Sequence, residues 1–153
     1  MNLLPQYLKK YNSVARLGPT YNEDERAFKS SKVRTKMVSE ISDLYCSDIA
    51  IIVNPNKPTG KEIAEEELDE LSKKVRILII DESFKMFSSR KIQKLDNVIQ
   101  INSLGKFFGL AGIRLGFVSG PSDFIKSVRK ILGTLPISSL AAQIGLVALN
   151  DIS

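Results

Sequence analysis

The chain contains no histidine and no tryptophan, and its 153 residues include a single cysteine. Without histidine there is no Ser-His or Cys-His triad and no imidazole metal site, so any chemistry falls to Lys, Asp, Glu and Tyr. One cysteine, Cys46, excludes an intrachain disulfide, and with nothing resembling a signal peptide a cytoplasmic location is expected. No apolar run reaches the roughly 18 residues of a membrane span, so no membrane partner is expected. The uncharged stretch from Ile137 to Leu149 is too short for that and reads as a buried helix.

What remains is ordinary for a globular domain, with 43% hydrophobic and 25% charged residues, and the length fits one domain over residues 1–153. The net charge of +5 permits anions without naming any. Part of the excess clusters at Lys29, Lys32, Arg34 and Lys36, which reads as a solvated face, with no nucleic acid as partner.

Along the chain, Leu4, Leu8, Tyr11 and Ala15 could line a helix, although Ser13–Leu17 also reads as a short strand. Gly18-Pro19-Thr20 is a turn, Glu23–Ser30 reads as helical and Lys32–Val38 as an exposed strand, and residues 43–48 connect. Ile49–Val53 is a continuous apolar run, the mark of a strand buried on both faces of a parallel sheet. It ends in the rigid loop Asn54-Pro55-Asn56-Lys57-Pro58-Thr59-Gly60. A helix over 62–74 carries Ala64, Leu68, Leu71 and Val75 on one stripe, with Asp69–Lys73 and Glu70–Lys74 at the favourable spacing.

Strands are predicted at 76–80, 98–101 and 115–119, then a helix from a Ser122 cap to Leu132, closed by Gly133, with Phe124, Ile125, Val128 and Ile131 inward. A last helix covers about Ser138–Leu149. Alternating strands and helices imply an α/β fold, a mostly parallel sheet flanked by helices.

The stretch from Asn102 to Phe117 carries four glycines and only two charges, Lys106 and Arg114. Gln100 occupies the place of a P-loop's first glycine, and no Gly-x-Gly-x-x-Gly is present, so neither nucleotide motif applies. A lysine that forms a Schiff base and an arginine that grips a phosphate would together describe a site for pyridoxal phosphate. The plainer alternative is a glycine-rich bend whose lysine reaches water. In an open α/β sheet the ligand crevice lies beyond the carboxyl ends of the strands, where loop 54–60, Asp81 and the Lys106 turn all fall. Asp81 would suit a protonated pyridinium nitrogen; its alternative is a turn cap.

In order and spacing, Asn54–Gly60, Asp81–Phe84 and Ser103–Arg114 resemble the three signature blocks of fold-type I pyridoxal-phosphate enzymes. The likeness is greatest to the histidinol-phosphate aminotransferase and threonine-phosphate decarboxylase branch, whose Pro-Thr-Tyr segment Gly18-Pro19-Thr20-Tyr21 also resembles. The resemblance implies the large domain of such an enzyme, truncated, with pyridoxal 5'-phosphate as cofactor and a small-molecule amino acid or amino-acid phosphate as substrate. It makes Lys106 the Schiff-base and proton-shuttling lysine and Asp81 the pyridinium partner. Arg114 and Ser103 would hold the phosphate, and Tyr21 would stack on the ring.

Lys57 stands where the family has an asparagine that donates to the cofactor's phenolic oxygen, Phe84 where it has a tyrosine, and Gly105 where it often has a serine or threonine. An ammonium at 57 could pair with that oxygen, and phenylalanine at 84 is compatible with the decarboxylase branch. The resemblance also implies a homodimer and chains about twice this length. The family's glycine-rich phosphate cradle and its carboxylate-gripping C-terminal domain would then lie outside residues 1–153. Three readings follow: an aminotransferase-like enzyme, a threonine-phosphate decarboxylase-like enzyme, or a truncated, non-catalytic remnant.

Overall fold

Two short apolar runs, Ile49–Val53 and Ile77–Asp81, hold the fold's centre. Neither alternates apolar with polar residues, so neither can leave a face in water, and each is buried on both faces through its first four residues. A computed structural model of the chain describes residues 4–8, 10–20, 34–85 and 96–151. In chain order it contains α1 (Leu4–Leu8), β1 (Ser13–Leu17), β2 (Arg34–Val38), a 3-10 turn (Ile41–Cys46), β3 (Ile49–Val53) and α2 (Glu65–Ser72). There follow β4 (Ile77–Asp81), β5 (Val98–Ser103), α3 (Leu104–Phe107), a second 3-10 turn (Ala111–Ile113), β6 (Gly116–Ser119), α4 (Ser122–Leu132) and α5 (Ser139–Asn150).

The six strands form one sheet in the order β2-β1-β3-β4-β5-β6. β1 to β5 run parallel and β6 pairs antiparallel with β5. The expected α/β fold with a mostly parallel sheet is therefore the observed one. The alternation of side chains along each strand divides the core in two. Ala50, Ile52, Leu78 and Ile80 pack with Leu68, Leu71 and Leu44 on one face. Ile49, Ile51, Ile77, Ile79 and Ile99 pack with Leu4, Leu8, Phe124 and Val128 on the other. Each fully buried isoleucine contributes about 1.5–3 kcal/mol of burial.

Of the two expectations for the first residues, the strand Ser13–Leu17 is observed as β1, and the helical face holds only as far as Leu8, where α1 ends. Tyr7 pins α1 to α4: its hydroxyl donates to Asp123 Oδ2 at 2.9 Å and its ring meets Phe124 edge-on at 5.0 Å. Burial first, and then the Asp123 carboxylate, hold the Tyr7 hydroxyl well above the ordinary tyrosine range.

Several boundaries differ from the sequence reading. Helix α2 begins at Glu65 because both amide atoms of the buried Asn54 side chain bond the main chain of Ile63, Oδ1 accepting from its N–H at 2.9 Å and Nδ2 donating to its carbonyl at 3.1 Å. That clamp buries Ile63 and leaves Ala64 exposed. Of the two predicted ion pairs, Lys74 meets Glu70 at 3.0 Å.

Helix α4 starts one residue inside Pro121, and Ser122 makes no cap hydrogen bond; Phe124 and Val128 are buried, but Ile131 is exposed. Glycine ends it as expected, Gly133 having φ 75°. The largest departure is α5, which is capped by Ser138 but buried only along Ala141, Gly145 and Ala148. A Cβ at Gly145 would lie 2.5 Å from Leu115 Cδ2, so the helix seats its small residues against Leu115 and Leu104 and leaves Leu140 at 68% and Val147 at 70% exposure. Glu23–Ser30, with Lys29 and Lys32, lies outside the described residues. Among the described residues no helix is long and apolar enough to cross a membrane.

Candidate active site

Strands β4 and β5 deliver the polar residues of the carboxyl edge side by side. Asp81, the last residue of β4, is in register with Ile101 of β5, and strand alternation puts Ser103 on the same face as Ile101. That face carries Ile79 and Ile99, so Asp81 and Ser103 lie on the α1 and α4 side of the sheet.

Asp81 Oδ1 accepts from the N–H of Ser83 at 2.9 Å and from its hydroxyl at 2.5 Å, which fixes the carboxylate plane. Oδ2 has no hydrogen bond among the described residues. Asp81 is thus a turn cap through one oxygen and remains free through the other. Glu82 points to the opposite face, where it is 3% exposed, 3.2 Å from Lys85 Nζ and accepting from Gln100 Nε2 at 3.4 Å. Gln100 Oε1 in turn accepts from Ser119 Oγ at 3.4 Å, tying β4, β5 and β6 together beneath the edge.

Ser103 caps the short helix α3, its hydroxyl oxygen accepting from Gly105 N–H at 3.2 Å, which leaves the hydroxyl proton to donate elsewhere. Lys106, one turn along, is exposed, and its Nζ lies 5.5 Å from the centre of the Phe84 ring. Lys57 Nζ lies 5.3 Å from the same ring, so two ammoniums share one aromatic side chain. The loop that carries Lys57 is held by Asn56, whose Nδ2 donates to the Pro19 carbonyl at 3.1 Å and to Thr59 Oγ1 at 2.9 Å. Gly60, with φ 70°, lets the loop close.

Arg114 follows the second 3-10 turn with φ 56° and ψ 37°, a left-handed conformation that costs a non-glycine residue about 1–2 kcal/mol. Its exposed guanidinium touches the chain through one bond, Nη1 to the Ala111 carbonyl at 3.4 Å. Two residues on, Gly116 is in register with Ser103, and a Cβ there would lie 2.6 Å from the Asn102 carbonyl oxygen. This close approach brings the Arg114 turn back beside Ser103. Gly105 is also confined, since its Cβ would lie 3.1 Å from Ala111 Cα, which accounts for the absence of a larger side chain there.

Strand pairing thus gathers Asp81, Ser103, Lys106 and Arg114 at the carboxyl ends of β4 and β5, with Lys57 meeting Lys106 over Phe84. Tyr21 lies outside the described residues. One contributor was missed in the sequence, Ser83, whose Asp-x-Ser spacing is the signal of a side-chain-capped turn; Phe84 was read as a tyrosine replacement compatible with the decarboxylase branch, without its contact to the two lysines. Among the described residues no group of carboxylates and thiols could hold a metal ion.

The sequence pattern of the family described as aminotransferase class I and II matches residues 17–153. The threonine-phosphate decarboxylase of a Sinorhizobium species is 32% identical over 154 residues, which is 94% of this chain and 46% of that protein. The histidinol-phosphate aminotransferase of Francisella philomiragia is 33% identical over 76% of this chain and 34% of its own. Among solved structures, L-threonine-O-3-phosphate decarboxylase from Porphyromonas gingivalis superposes with a TM-score of 0.82 at 19% identity, covering 99% of this chain and 50% of that one. The first of these likenesses is of sequence and the last of fold, and the chain spans half or less of the length of each relative. By the extent of the match, this chain belongs to the class I and II aminotransferase family.

Proposed function

We propose that the chain carries the cofactor-binding core of a pyridoxal 5'-phosphate-dependent, cytoplasmic enzyme that acts as an aminotransferase on an amino acid or amino-acid phosphate. The observation that supports this reading is the register of β4 and β5, which puts Asp81 and Ser103 at the same edge of the sheet, with the helix that carries Lys106 directly after Ser103.

The residues fit the group. It needs an amine for its carbonyl, an anion for its ring nitrogen, donors for its phosphate and a donor for its phenolic oxygen. Lys106, Asp81 Oδ2, Arg114 with Ser103, and Lys57 supply these in turn. When bound, the cofactor contributes an electron-poor ring that takes up the charge left at the substrate's α carbon.

Lys106 would hold the cofactor's carbonyl through Nζ, and the same amine would serve as the base for the substrate's α proton. Asp81 Oδ2 keeps the ring nitrogen protonated while Oδ1 stays bonded to Ser83. Arg114 grips phosphate oxygens through its planar fork, and the Ser103 hydroxyl donates to another. By the family resemblance, Tyr21 would stack on the ring. Lys57 pairs with the phenolic oxygen as a point charge, in place of a directional amide.

A second reading, decarboxylation of a threonine-phosphate-like substrate, is favoured by Phe84 and by the decarboxylase relative that matches nearly the whole chain. Incubating the protein with pyridoxal phosphate and an amino donor, with and without a keto acid, separates the readings. Keto-acid-dependent amino transfer supports the first and release of carbon dioxide the second. A visible cofactor band without either product identifies a binding core alone. No band, or a band unchanged in Lys106→Ala, contradicts the site.

A further inference from the structure

The amino edge of the sheet, opposite the candidate active site, carries a crevice of about 440 Å³ between the starts of β1, β3 and β4. This volume is in the range of small-molecule sites. Three cations border it, Lys73, Lys74 and Arg76, together with the Tyr45 ring, and one carboxylate, Asp48.

Those cations are only partly neutralised, Arg76 by one oxygen of Asp48 and Lys74 by Glu70. Asp48 Oδ2 accepts from the N–H of Asn12 at 3.0 Å and from the N–H and hydroxyl of Ser13, each at 3.3 Å. Its Oδ1 meets Arg76 only through Nε, at 3.4 Å. The carbonyls after α2 attract lysines by their dipole, yet Asn97 Nδ2 already donates to those of Ser72 at 2.7 Å and Val75 at 3.0 Å. Lys73 has no partner among the described residues. Lys74 is shared between Glu70 and the Tyr45 ring, whose centre lies 4.4 Å from its Nζ.

We propose that this crevice is a second anion site, which takes a small phosphorylated molecule bearing two or more negative charges. Two ammoniums and a planar guanidinium keep donors beyond those used by Asp48 and Glu70, and a phosphate group presents oxygens to several at once. The Tyr45 hydroxyl adds a neutral donor at the rim. The site lies at the far end of the strands from Lys106 and holds independently of the chemistry proposed there.

Cys46 lines the crevice, is exposed and is the chain's one cysteine, so its labelling reports occupancy without an introduced probe. The test measures the rate of Cys46 modification by uncharged N-ethylmaleimide with inorganic pyrophosphate, or with sodium chloride at equal ionic strength. Pyrophosphate at saturation is expected to slow labelling by roughly fivefold or more, and chloride is not. Lys73→Glu, a change at an exposed residue, should abolish the protection with the circular dichroism spectrum unchanged, and Lys106→Ala should retain it. Absence of protection, equal protection by chloride, full protection in Lys73→Glu or loss of protection in Lys106→Ala would each overturn the assignment.

Discussion

The two ends of one sheet use polar residues in opposite ways. At the amino edge the carboxylate of Asp48 is divided among Asn12, Ser13 and Arg76 and the amide of Asn97 is spent on main-chain carbonyls, so cations are in excess. At the carboxyl edge both signs remain available: one oxygen of Asp81, the Lys106 amine, and a guanidinium held by one long bond. An edge with an excess of cations can hold an anion. An edge with an acid, an amine and a phosphate grip can also hold a ring and move a proton.

The sharpest way to test that difference is to remove the single negative charge from the carboxyl edge. Asp81→Asn retains an oxygen for Ser83, so stability should change by less than about 1 kcal/mol. The rate at which the protein with pyridoxal phosphate exchanges the α proton of an amino acid into deuterated water should fall by roughly a hundredfold, followed by NMR. Next in size is Arg114→Gly, which removes the guanidinium and relieves the left-handed backbone together. Retention of pyridoxal phosphate should weaken about 30-fold while that of pyridoxal, which lacks the phosphate, is unchanged, and the thermal midpoint should rise by a few degrees.

Gly116 would blur the comparison, because it is a structural residue within the functional edge. Gly116→Ala forces a Cβ against the Asn102 carbonyl oxygen and should cost about 1–3 kcal/mol in urea unfolding. The smallest effect expected is that of acid on the amino edge. The Asn12 N–H first, then Ser13 and the Arg76 charge, hold the Asp48 carboxyl below its ordinary 3.8. Its contribution to stability is therefore complete above about pH 4 and is lost as pH falls through the lowered value of the folded state. Urea midpoints measured between neutral and acidic pH should show this slope, and Asp48→Asn should flatten it.

The parts of the fold legible in the sequence were those fixed by short-range patterning. Ile49–Val53 and Ile77–Ile80 are apolar on consecutive residues and Phe124 and Val128 are one turn apart, so strand and helix follow from spacing alone. Residues whose environment comes from distant chain were misjudged. An uninterrupted apolar run reads as buried on all sides, but α5 is buried only along its Ala141, Gly145 and Ala148 stripe, which meets Leu115 and Leu104. Helix α2 starts late because Asn54, nine residues before Ile63, captures its main chain.

Lys106, Asp81 and Arg114 stood out because charges at strand ends and in glycine-rich turns are conspicuous. Their proximity depended on β4 and β5 being neighbours, which no local pattern encodes. The basic crevice was invisible for the same reason, since Ser13, Tyr45 and Lys73 meet only once β1, β3 and β4 are aligned.

The central claim is that Lys106 is the amine facing the carboxylate and the guanidinium. Borohydride reduction of the protein with one equivalent of pyridoxal phosphate, followed by peptide mass mapping, tests it directly. The account predicts one added cofactor mass, on the peptide containing Lys106, and none in Lys106→Ala. An adduct spread over surface lysines, or one that persists without Lys106, would contradict it.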